Sequence, residues 1–146
     1  MTSTHKGSRI VVGVDGSPSS LAALDWAAQQ AEQSGATLEV VGSWEWPMTY
    51  GAPFALPEGY DPAADVRREL DHAIASARAA HPDVDFRPVV VEGHPAPSLV
   101  EASKGADLLV VGSRGHGAFA GMLLGSVSEH CVAHAFCPVL VLRGDG

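Results

Sequence analysis

Hydrophobic positions fall in two alternating patterns along this chain. Residues 9–15, Arg-Ile-Val-Val-Gly-Val-Asp, are almost continuously apolar, as in a strand covered on both faces of a parallel sheet. Gly16-Ser17-Pro18 then turns into a helix, with Ser17 as N-cap and Pro18 at the first helical position. Leu21, Leu24, Ala28 and Ala31 recur at spacings of three and four and give that helix one apolar stripe, which Ser34-Gly35 ends. Thr37–Trp44 predicts a second strand. Asp61-Pro62 repeats the cap-then-proline start for a helix running to about His81. A third strand is expected over Asp85–Val91, a short helix from Pro95 to about Lys104, and a fourth strand over Leu108–Gly112. A last helix, Ser126 to about Ala135, leads through Cys137-Pro138 into a final strand, Val139–Arg143. Residues 45–61 fit neither period. They carry three prolines, two glycines and four aromatics, a composition expected of an irregular functional loop.

Five strands alternating with four helices predict an α/β fold: a three-layer, doubly wound open sheet of five parallel strands, Rossmann-like, in the order 3-2-1-4-5. Residues 1–146 read as a single domain with a flexible N-terminus over residues 1–8. In such sheets ligands sit at the strand carboxyl ends, where the strand order reverses. The two most distinctive loops follow the first and fourth strands, which are neighbours across that switch point.

Composition narrows the ligand. The formal net charge is −8, and lysine occurs only as Lys6 and Lys104, so a nucleic-acid backbone is not the expected partner. No apolar run reaches the roughly 20 residues of a membrane span, and the polar start lacks a signal-peptide core. With only Cys131 and Cys137 available, a disulfide framework is not expected. A cytoplasmic location is therefore expected. With so little lysine, an anionic ligand has to be held by backbone amides, a helix terminus and a metal ion.

Gly112, Gly115, Gly117, Gly121 and Gly125 fall within one short stretch. Glycines let a backbone approach phosphate oxygens and turn successive N–H groups inward, and Ser126 then opens a helix. Ser126-x-x-Glu129 also reads as a capping box, which requires no ligand. Arg114 and His116 are the loop's only side chains that can bring positive charge. Arg114 either reaches a phosphate or stays solvated. Asp15 either meets a divalent cation or ribose hydroxyl at the phosphates, or serves as a turn aspartate. His130, Cys131, His134 and Cys137 suggest zinc, but Cys131 projects about 100° from His130 on a helix, and paired-cysteine spacing is absent. A helix face plus a buried cysteine before Pro138 is the expected reading there.

The spacing Gly112-x2-Gly115-x9-Gly125-Ser126, the opening Ile-Val-Val-Gly-Val-Asp-Gly-Ser and the stretch Ala106–Gly115 resemble the universal stress protein family over Arg9–Arg143. The spacing is that of the family's ATP-binding branch. The resemblance implies ATP, or another adenine nucleotide, with Mg2+ or Mn2+ at Asp15. It puts Gly112 and Gly115 against ribose and phosphates, while Gly125, Ser126, Val127 and Ser128 hold phosphates by amide and hydroxyl. Ser43 matches the position whose backbone contacts adenine, although Val41 or Gly42 takes that role after a small shift. Gly13 and Val111 line the same pocket, and the aromatics of 44–60 either shield the base or cover core. Relatives dimerise through the last strand, so a homodimer through 138–143 is expected; otherwise a helix or the tail covers that edge.

No nucleophile–base set and no P-loop lysine appears, which implies very slow hydrolysis at most. The expected role is a nucleotide-dependent regulatory module in a stress response. A slow ATPase or nucleotidyl-transfer enzyme and a structural dimer without nucleotide are the alternatives. Gly115→Val and Gly125→Val are each expected to abolish ATP binding while leaving the circular dichroism spectrum unchanged. Binding that survives both changes contradicts the loop assignment.

Overall fold

The computed structural model describes residues 8–46, 48, 49, 52, 53, 58–113 and 125–143. Its strands are β1 (Arg9–Gly13), β2 (Thr37–Trp44), β3 (Met48–Thr49), β4 (Ala52–Pro53), β5 (Asp85–Glu92), β6 (Leu108–Gly112) and β7 (Val139–Leu142). Helices α1 (Pro18–Ser34), α2 (Pro62–Ala80), α3 (Pro95–Ala102) and α4 (Ser126–His134) connect them. The five long strands are parallel in the order β5-β2-β1-β6-β7, the expected 3-2-1-4-5.

Alternate residues of each central strand feed two cores. Ile10, Val12, Val14, Leu38, Val40 and Val110 pack beneath α1 and α2. Val11, Val41, Leu109 and Val111 pack beneath Leu99 of α3 and Cys131 of α4. Covering both faces of β1 and β6 is what required their continuous apolar runs. Pro88, which has no N–H to donate, is accommodated because β5 lies at a sheet edge.

Several local expectations are corrected. The first strand ends at Gly13 rather than Asp15. Gly16 adopts φ +84, and Asp15 Oδ1 accepts from Ser17 N at 2.9 Å, so the chain is already turning there. Leu21 is 43% exposed because the buried arc of α1 centres on Ala23, Leu24, Ala27 and Ala31, leaving residue 21 on its flank. Within 45–61, β3 and β4 form a small antiparallel ladder instead of an irregular path. The strand expected over 85–91 extends to Glu92, whereas α3 stops at Ala102, where Ser103 N bonds to Leu99 O and Val100 O. The last helix and strand end one residue early, at His134 and Leu142.

His81 caps the C-terminal end of α2 against α1. Its side chain is 9% exposed, with Nδ1 2.9 Å from Glu32 Oε1 and Nε2 3.6 Å from Asp25 Oδ1. The Glu32 hydrogen bond, opposed by desolvation and helped by both carboxylate charges, raises the His81 pKa above 6.5. A raised native pKa stabilises the fold fully below the unfolded value, and that contribution is lost as pH rises through the native one. Between pH 6 and pH 8 the urea midpoint is therefore expected to fall, and His81→Asn is expected to flatten this slope. An unchanged slope in the variant contradicts the role given to this cluster.

Candidate functional site

At the carboxyl ends of β1, β2 and β6 lies a cleft of about 310 Å3. It sits where the connection from β1 leads to one side of the sheet and β6 pairs on the other, the switch point of a doubly wound fold. Of the candidate site residues from the sequence, Gly13, Asp15, Val41, Ser43, Val111, Gly112, Val127 and Ser128 line it, and Gly42 does not. Gly125 and Ser126 start α4 beside it but do not line it. Arg114, Gly115, His116, Gly117 and Gly121 lie outside the described residues.

The N-termini of α1, α3 and α4 border the cleft, that of α3 through Pro95. Ser17 and Ser20 belong to the cap and first turn of α1, and Val127 and Ser128 to the first turn of α4. Helix dipoles put positive partial charge at the α1 and α4 ends, although in α1 Ser20 N already donates to the Ser17 cap at 3.3 Å. The capping box expected at Ser126 does not form. Gly125 occupies the N-cap, Glu129 N bonds to Gly125 O at 3.0 Å, and Ser126 becomes the first helical residue.

Ser128 and Ser113 instead close the base of the loop. Ser113 O accepts from Gly125 N at 2.6 Å, and Ser128 Oγ lies 3.0 Å from both Ser113 O and Gly125 O. Both serines are buried. The chain therefore leaves β6 and enters α4 at one shared carbonyl, which fixes the start of α4 at the cleft.

Gly112 has a structural reason of its own. A Cβ there would stand 2.7 Å from the backbone carbon of Ser19 and 2.5 Å from its Oγ. Gly13 and Gly42 face side chains instead, the Leu99 methyls at 2.7 Å and Val66 at 2.7 Å. Without a Cβ at these strand ends, α1, α3 and α2 pack down onto the sheet.

Of the far end of the cleft, the sequence offered only Trp44, through the aromatics of 44–60. Trp44 and Glu45, from the end of β2, line it together with Glu69 of α2 and Gly93, Pro95 and Leu99 from the β5–α3 side. Gly93 adopts φ +126, and its N–H donates to Trp44 O at 2.8 Å, tying the ends of β2 and β5. Glu45 Oε2 pairs with His94 Nδ1 at 2.9 Å across the same junction. For the rest of this wall the one signal is the Gly-His-Pro before α3. Trp44 stacks edge-on to Trp46 at 5.2 Å, and Trp46 lies 6.2 Å from Tyr60. Among the described aromatics of 44–60, Trp44 reaches the cleft, while Trp46 and Tyr60 are 45% and 37% exposed; Tyr50 and Phe54 lie outside the described residues.

The described lining includes the carboxylates of Asp15, Glu45 and Glu69 but no lysine or arginine. From these described residues a polyanion gains amide dipoles and, at a carboxylate, a shared cation. Among the described residues no group of three or more His, Cys, Asp or Glu side chains could hold a metal ion. Asp15 could thus offer a metal one protein ligand, with phosphate oxygens supplying others. His130, Cys131, His134 and Cys137 are not among any such metal-holding group, and Cys137, expected to be buried before Pro138, is only partly covered. Cys131 is fully buried in the core, where desolvation pushes its thiol pKa up to about 11.

Fold and cleft define a class: a doubly wound α/β protein with a ligand cleft at its switch point. The model of the universal stress protein family matches residues 7–143, and the chain belongs to that family. Universal stress protein Rv1996 of Mycobacterium tuberculosis is 36% identical over 140 residues, covering 92% of this chain and 43% of that protein. Rv2623 of the same organism is 38% identical over 157 aligned positions, covering 99% and 50%. The chain thus spans about half the length of the curated relatives it matches. A crystal structure of a universal stress protein in complex with cAMP superposes with a TM-score of 0.72 at 35% identity, covering 93% of this chain and 96% of that one. Among the described residues no helix is long and apolar enough to cross a membrane.

Because Gly112 meets helix backbone, Gly112→Ala is expected to cost about 1–3 kcal/mol in urea unfolding without nucleotide, as overpacking does. Unaltered stability would show that the glycine is retained for a ligand rather than for α1.

Proposed function

We propose that the cleft binds an adenine nucleotide, with ATP and Mg2+ or Mn2+ as the resident pair. The observation that carries this reading is the junction of two helix N-termini with a strand-end carboxylate, Asp15, in one cleft at the switch point. Triphosphate placed at α1 and α4 meets amide dipoles, and a divalent cation between phosphate and Asp15 removes the repulsion of like charges. The apolar Val41, Val111 and Leu99 supply a slot for a base, beside the backbone of Ser43. The cAMP in the 35%-identical structure supports the adenine nucleotide class.

In this reading the protein is a cytoplasmic regulatory module whose nucleotide occupancy biases its other surfaces. Pairing of β7 with a second copy completes it as a homodimer. Support for that pairing lies in β7 itself, an edge strand with all four residues only partly covered.

Mass spectrometry of the ligand released from purified protein tests the reading, with a turnover assay to separate holding ATP from hydrolysing it. Asp15→Asn keeps an acceptor for Ser17 N while removing the charge. It is expected to weaken Mg2+–ATP binding by about 1–2 kcal/mol, roughly five- to thirtyfold, and to abolish the effect of added EDTA. Equal ATP affinity of wild type and variant, with and without Mg2+, contradicts a metal at Asp15.

A further inference from the structure

Outside the cleft, α4 carries a histidine pair that the nucleotide reading does not use. His130 and His134 stand one turn apart on the exposed side of the helix, their ring centroids 4.5 Å apart and their planes inclined at 46°. Among the described residues neither ring makes a hydrogen bond or ion pair. The helix beneath them is anchored by Cys131, fully buried, and by Ser128 at the base of the loop.

The spacing of the rings fits chelation. A metal–nitrogen bond of about 2.0–2.1 Å puts a metal about 3.2 Å from the centre of a ligating imidazole ring. With one nitrogen of each ring turned to a common ion, two centres 4.5 Å apart subtend about 90° at the metal. That is the cis angle of tetragonal and octahedral coordination, whereas a tetrahedral ion would need the centres roughly 5.2 Å apart. Imidazole nitrogens suit Cu2+, Ni2+ and Zn2+, and the angle favours the first two. Cys131 points into the core, so sulfur does not compete for the ion.

We propose that His130 and His134 form a two-point chelate on α4 for a nitrogen-preferring divalent transition-metal ion, Cu2+ or Ni2+, with its remaining positions open to solvent. It is separate from any Mg2+ carried with nucleotide, since that hard ion prefers oxygen ligands. It also differs from a closed structural zinc centre, because it needs neither cysteine.

Isothermal titration of the untagged full chain with CuCl2, NiCl2 and ZnCl2 in a non-chelating buffer tests this. One tight equivalent is expected, in the order Cu2+, Ni2+, Zn2+, with nitrogen hyperfine structure in the Cu2+ electron paramagnetic resonance spectrum. His130→Ala and His134→Ala are each expected to weaken that site at least about tenfold, since even the loss of an outer-shell partner costs that much. His72→Ala, on α2, is expected to leave it unchanged. Val132→His combined with His134→Ala keeps the histidine count but sets the rings two residues apart, off one helix face, and is expected not to restore binding. Absence of a tight equivalent, unchanged affinity in both single variants, or full binding in the double variant overturns the proposal. Circular dichroism of each variant checks that α4 remains folded.

Discussion

The closest approach that organises this molecule is between the end of β6 and the first turn of α1. A Cβ on Gly112 would lie within 2.7 Å of the Ser19 backbone, so the helix can descend to the sheet only because residue 112 has none. That descent brings Ser17 and Ser20 to the cleft beside Val111 and Gly112. On the other side, Ser113 O holds both Gly125 N and the Ser128 hydroxyl, which brings the start of α4 to the same place. Two positive helix ends therefore converge where the strand order reverses, and the cleft's capacity for an anion follows from this packing.

Charge then limits what the site can take. Asp15, Glu45 and Glu69 line the cleft, and no lysine or arginine does so among the described residues. Uncompensated, three carboxylates would repel a triphosphate. Among the described residues, helix dipoles and a shared divalent cation are the sources of compensation, which is why metal and nucleotide are paired in the proposed function. The apolar Val41, Val111 and Leu99 contribute burial at the base end, an interaction that does not depend on charge.

Much of this was legible in the sequence, for definite reasons. Continuous apolar runs at Arg9–Val14 and Leu108–Val111 mark strands with both faces covered, and Ser17-Pro18 and Asp61-Pro62 mark helix starts through the missing proline N–H. Those signals are local, so they survive without tertiary information. What escaped was long-range. The reason for Gly112 lies at Ser19, 93 positions earlier in the chain. At the far wall of the cleft Glu45, Glu69 and Pro95 come together beside Trp44, and no spacing rule connects those three. Ser126 resembled a cap because Glu129 follows at the right interval, but the closure at Ser113 moved the cap to Gly125.

The central claim is that the switch-point cleft holds an adenine nucleotide. Backbone amide chemical-shift mapping during titration with ATP and Mg2+ tests it most directly. The account predicts that the largest shifts cluster at Gly13, Asp15, Ser43, Val111, Gly112, Val127 and Ser128 and saturate together at one equivalent. Shifts absent from these amides, or concentrated on the outer faces of α2 and α4, would contradict it.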